Sequence, residues 1–130
     1  QLEHASRRWG RAAEACRATI EAARREGLVG FELHALARLA AVKAASEDPD
    51  AAGIAREVVS RLHEGATVER AERLWLLVAE ALDVYGTEDE ARDAHQKAEA
   101  VLRAKAEAIR SEAIRERFLT TSDARAILRA

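Results

Sequence analysis

The six residues from Gly10 to Ala15 (GRAAEA) return as Gly86 to Ala91 (GTEDEA), and Pro49, Asp50 and Ala51 mark a looser copy between them. Ala15, Ala51 and Ala91 stand 36 and 40 residues apart, and each opens an alanine-rich stretch. A repeat of this length holds one helix pair, which cannot bury its apolar face alone and needs a stacked neighbour to cover it. The spacing predicts a helical solenoid, a scaffold before anything else.

Composition supports helices throughout. Alanine supplies about a quarter of the 130 residues, with Leu, Arg and Glu making up much of the rest. These side chains lose little freedom in a helix. Only five residues are aromatic (Trp9, Phe31, Trp75, Tyr85 and Phe118), and no window alternates apolar and polar long enough for a sheet. An all-α fold follows, in one domain over residues 1–130.

Charge excludes some partners. Formal net charge is −2 although 34% of the residues are charged, so acids and bases are mixed. The densest basic cluster, Arg7, Arg8 and Arg11, is offset by Glu3 and Glu14 and reads as a solvated helix face. Without a basic stripe, nucleic acid is not an expected partner. No run reaches the length of a membrane span and no signal-peptide pattern is present. A single cysteine, Cys16, fits a reducing cytoplasm and reads as buried filler on an apolar stripe. The chain starts at Gln1 already in helical register, which suggests a fragment of a longer protein.

The first helix is expected over about 2–26, with Leu2, Trp9, Cys16 and Ala23 spaced seven apart and Ala5, Ala12, Ala13 and Ile20 beside them. An alternative reading breaks it at Gly10. Gly27 is the expected stop. The second helix, about 30–46, carries Phe31, Leu33, Leu36, Leu39, Ala40 and Val42 as candidate core. Asp48 as cap and Pro49 at the first helical position would start the third, about 49–64, packed through Ala51, Ile54, Ala55, Val58, Val59 and Leu62. Thr67 is the expected cap of the fourth helix, about 68–85, with Leu74, Trp75, Leu77, Val78, Ala81 and Leu82 inward. Thr87 and Glu90 form a capping box for a long fifth helix, reaching 109 or even 116. Thr121 or Ser122 would cap a last short helix ending near Leu128. Connections of two to five residues make successive helices neighbours.

From Trp75 onward the pattern Trp75, Val78, Ala79, Leu82, Gly86, Ala91, His95, Ala98 resembles the tetratricopeptide repeat: large residues, small residues at helix contacts and a glycine turn. Leu82 and His95 replace the usual aromatics, and no proline follows the second helix. The resemblance covers about residues 10–103, as a partial repeat over 10–26 and repeats over 30–64 and 68–103, with a C-terminal cap over 104–130. It implies a right-handed stack of antiparallel hairpins with five main helices and a short capping helix. The tail from Arg115 to Leu128, with Phe118, Leu119 and Ile127, is similar to the C-terminal ends of tetratricopeptide-containing bacterial signalling regulators. Sealing of the last apolar face accounts for the same residues. The chain contains no asparagine, a departure from the repeats that clamp chaperone tails.

Catalytic patterns are not found. His4, His34, His63 and His95 lack metal-ligand spacing, the glycines form no phosphate loop, and the carboxylates at 48, 50 and 88–90 sit at helix N-termini, where they offset the dipole. Neither an enzyme nor a cofactor site is expected. In a solenoid of this type the first helix of each pair lines a concave groove, which places Phe31, His34, Arg38 and Ala41, then Arg73, Leu76, Glu80 and Asp83, on a partner-binding face. The expected function is a non-catalytic scaffold for a protein or peptide partner. The alternative is homodimerisation through Leu2 and Trp9, left exposed if the preceding helix is missing.

Overall fold

In a computed structural model, the backbone is described for residues 2–129 and the side chains for residues 6–129. These residues form seven helices and no strand: α1 (Leu2–Glu26), α2 (Val29–Ala45), α3 (Ala51–His63), α4 (Ala71–Tyr85), α5 (Glu88–Ala108), α6 (Glu112–Leu119) and α7 (Ser122–Arg129). Each packs on its successor; α4 also packs back on α2 and forward on α7, and α7 leans on α5. No described helix is long and apolar enough to cross a membrane.

Helix ends follow local chemistry in most places. Gly10 does not interrupt α1, which runs unbroken to Glu26. Gly27 then takes a left-handed φ of 68°, so that Leu28 N–H reaches the Ala23 carbonyl (2.9 Å) and Gly27 N–H that of Arg24 (3.3 Å). This is the paired bond set that satisfies the last carbonyls of a helix. Gly65 repeats it after α3, with φ 101°. The same bonds close α2, but there the left-handed residue is Glu47, φ 61°.

Two expected starts move. Asp48 does not cap α3: its Oδ1 accepts from Asp50 N–H (2.9 Å) and its Oδ2 from Lys43 Nζ (2.9 Å), so Pro49 and Asp50 form a turn, the cap position falls to Asp50 and α3 begins at Ala51. Thr67 caps nothing. Residues 66–68 are non-helical, Arg70 adopts φ 53°, and α4 starts at Ala71. Tertiary bonds hold this detour: His34 Nε2 donates to the Glu69 carbonyl (2.7 Å), and Arg70 Nη2 to Asp123 (3.0 Å).

Thr87 and Glu90 do form the capping box, each side chain bonded to the other's backbone N–H at 3.1 and 2.9 Å. α5 ends at Ala108. Ser111 caps a separate α6, and Arg115 reaches back to the Ala106 carbonyl (3.0 Å) and that of Ile109. Thr121 Oγ1 accepts from Ala124 N–H at the start of α7.

The core is continuous from α1 to α7, with Leu33, Val58, Leu74, Val78 and Leu102 fully enclosed. Ala79, Ala91 and Ala98 are buried where helices meet, and Trp75 is buried edge-on to His63, with Lys97 Nζ 5.8 Å from its ring centre. Small residues allow close helix approach, and the indole fills what they leave. Buried Glu32 joins three helices through Arg24 of α1 (2.9 Å) and Arg61 of α3 (2.7 Å). The Arg61 hydrogen bond, aided by Arg24, holds the Glu32 carboxyl below the usual range despite its burial. Glu72 pairs with Lys105 (2.6 Å) across α4 and α5. Burying a carboxylate is costly unless it is paired in this way.

Candidate partner-binding groove

The outward stripe of α2 is Phe31, His34, Arg38 and Val42. These stand three or four residues apart and therefore on one side of the helix, opposite the enclosed Leu33, Ala37 and Ala40. α1 runs along one flank with the short side chains Ala12, Ala15, Cys16 and Thr19. α4 closes the other with Arg73 and Leu77. The open hollow between them holds about 430 Å³. A second hollow of about 650 Å³ opens beside the start of α2, lined by Gly27, Leu28, Val29, Gly30, Thr67, Glu69 and Arg70. Phe31, His34, Arg38 and Arg73 line both, so the two are lobes of one groove.

Its walls are apolar in an unusual place. Leu28, Val29 and Phe31 are all exposed, Phe31 by 67%. The expectation of Phe31 in the core is thus corrected: it turns outward into the groove. Val42, another candidate core residue, is only partly buried and lines the groove. Cys16 sits at the floor. Burial pushes its thiol up by more than the charges of Arg38 and Arg17 pull it down, which keeps it protonated and poorly nucleophilic.

Polar groups in the groove are mostly committed. His34 is bonded to the Glu69 carbonyl, and Arg73 Nη1 donates to Asp123 Oδ1 of α7 (2.8 Å). Arg38 is exposed and has no hydrogen-bond or ion-pair partner among the described residues.

Four of the residues expected on this face, Phe31, His34, Arg38 and Arg73, are brought together. Three are not. Leu76 is 6% exposed and belongs to the core, while Leu77, expected inward, lines the groove. Asp83 turns toward α5, where His95 Nε2 donates to its Oδ2 (2.9 Å). Glu80 is exposed near that pair. Partial loss of water raises its carboxyl above the ordinary range, with Arg73 and His95 opposing and Asp83 and Asp123 adding. Ala41 is half-buried and not part of the lining. The contribution of α1, and of Leu28 and Val29, was missed. Its only sequence signal is the row Ala12, Ala15, Thr19, which equally suits a packed interface.

At the other candidate surface, Trp9 is 37% exposed, and Ser6 to Arg11 are exposed on every side of α1. The side chain of Leu2 lies outside the described residues. Among the described residues no group of three or more His, Cys, Asp or Glu side chains is placed to hold a metal ion. Comparison with family models, curated proteins and solved structures finds nothing that matches this chain.

Proposed function

We propose that this chain is a non-catalytic interaction module that holds a protein or peptide partner in the groove over α2. The observation that carries this reading is Phe31, two-thirds exposed beside Leu28 and Val29 at the mouth of a hollow. Contiguous exposed apolar residues rimmed by charge mark surfaces that bind. A tetratricopeptide-like solenoid is the arrangement we favour, supported by the α2–α4 and α4–α7 packing and by buried alanines at the repeat positions. The likeness of the tail to signalling regulators supports a place in such a protein.

The test is to select binders from a random peptide library and map them by amide hydrogen exchange. Protection confined to residues 12–19 and 28–42 supports the groove. Protection centred on residues 6–11 or on α6 and α7 rejects it.

A second reading, self-association through the N-terminal part of α1, is favoured by the exposed Trp9. Light scattering over a concentration series decides it. A dimer that Trp9→Glu converts to a folded monomer supports assembly, and a monomer at every concentration rejects it.

A further inference from the structure

The chain already shows how one helix docks beside an arginine of this groove. α7 buries Ala124 and Ile127, one and four residues after Asp123, and places the Asp123 carboxylate on Arg73 (2.8 Å) and Arg70 (3.0 Å). Those two arginines also line the groove. The α7 contact is therefore an amphipathic helix delivering one carboxylate to guanidinium groups, with small and aliphatic side chains packed behind it.

Beside α2 the same elements recur. Arg38 projects from α2 and has no carboxylate or carbonyl partner among the described residues. Along the α1 flank lie short side chains, Ala12, Ala15 and Thr19, with Ala35 of α2 also in the lining, and beside them a helix backbone can approach closely. Phe31 and Leu77 supply apolar surface at either side. From Phe31 to Val42 the α2 stripe spans about 16 Å, close to three turns of a docked helix. Asp123 already engages Arg70 and Arg73, which leaves Arg38 as the arginine of the lining that has no carboxylate among the described residues, so the place for a partner's acid is at Arg38.

We infer that the groove takes an amphipathic helix of a partner protein, which presents an internal Asp or Glu side chain to Arg38 and aliphatic side chains to Phe31 and Leu77. This rests on the groove being the binding surface. A guanidinium binds a carboxylate through two parallel hydrogen bonds, which fixes register as well as adding affinity. The small-residue flank sets how near the helix comes, and Arg38 sets where it stops.

The experiment sorts a displayed library of helical peptides of about 16 residues against the wild-type protein. Selected peptides are then synthesised with amidated C-termini and titrated against wild type, Arg38→Glu, Arg38→Gln and Phe31→Glu. Circular dichroism checks that each variant is folded. Selected peptides are expected to carry Asp or Glu at one shared register. They should lose tenfold or more in affinity for Arg38→Glu and less for Arg38→Gln. A Lys in place of the peptide acid should restore binding to Arg38→Glu. Peptides that lose binding with Phe31→Glu but show no acidic register, or ignore both Arg38 variants, overturn the inference and leave the groove standing. Affinity that appears only with a free peptide C-terminus assigns Arg38 to a chain end and also overturns it. Peptides indifferent to Phe31→Glu remove the groove reading itself.

Discussion

Arg56 of α3 grips Glu90 of α5 with two hydrogen bonds, Nε to Oε2 at 2.7 Å and Nη2 to Oε1 at 2.9 Å. The same carboxylate accepts from Thr87 N–H, so one side chain both caps α5 and ties it to α3. The Arg56 hydrogen bonds, then the Thr87 amide, pull the Glu90 carboxyl down to about 2. A carboxylate with a depressed folded value stabilises fully above its ordinary 4.5 and loses that contribution as pH falls toward 2. Glu90→Gln keeps the capping reach and removes the charge. Both partners are partly exposed, so the expected cost at pH 7 is about 0.5–1 kcal/mol. Urea melts between pH 7 and 2 should show the wild type losing its advantage over the variant below pH 4.5. A constant gap across that range would reject the assignment.

Glu47 occupies the left-handed position that Gly27 and Gly65 fill at the ends of α1 and α3. A Cβ there crowds the backbone, and no hydrogen bond or ion pair of the Glu47 side chain is found among the described residues to offset it. Glu47→Gly should therefore raise stability by about 0.5–1 kcal/mol, net of the extra freedom glycine gains when unfolded. The reverse change, Gly65→Ala, should lower it by about 1 kcal/mol. Denaturation midpoints of the pair, moving in opposite directions, are the check.

Gly86 is fixed by space rather than by φ, which is −92°. A Cβ at this position would lie 2.7 Å from Leu82 Cδ2 and 2.9 Å from the Leu82 carbonyl oxygen. Gly86→Ala should cost about 1–3 kcal/mol through displacement of the α4–α5 turn. Leu82→Ala removes the Cδ2 contact but keeps those to Leu82 Cβ and to its carbonyl oxygen, both at 2.9 Å. Leu82 is buried and its truncation has its own cost, so the comparison is made within the Leu82→Ala background. There Gly86→Ala should still cost nearly as much, and a Gly86→Ala change that costs nothing in that background in thermal melts would show that only the Leu82 side chain matters.

How much of this was legible follows from where the determinants lie. Thr87, Glu90 and Gly27 act within a few residues of themselves, and spacing alone places each of them. The start of α4 was not, because Arg70 is held by Asp123, 53 residues away, and the preceding turn by His34. Helix-forming residues from 88 to 116 concealed the break at Ile109, which depends on Arg115 folding back onto α5. The α2 stripe of the groove was readable from the positions of His34 and Arg38. The wall from α1 was not, since a row of alanines reads alike whether a helix covers it or water does.

Leu76 and Leu77 are where that limit bears most directly on the site. Leu74 to Val78 is five apolar residues in a row, so no polar residue fixes the rotation of α4 there. The chain resolves the choice through Arg73: its link to Asp123 of α7 orients that side, and Leu77, four residues on, follows it into the groove while Leu76 turns inward. Truncation should separate the two. Leu76→Ala removes enclosed volume and should cost about 2–4 kcal/mol, whereas Leu77→Ala, at a half-buried wall, should cost about 1 kcal/mol. Binding should rank them the other way: Leu77→Ala weakens a groove-bound peptide several-fold, and Leu76→Ala leaves its affinity unchanged where the protein is still folded. Urea melts and peptide titrations on the same two variants give both orders. If stability and binding fall together for Leu76→Ala alone, the rotation of α4 is the reverse of the one described.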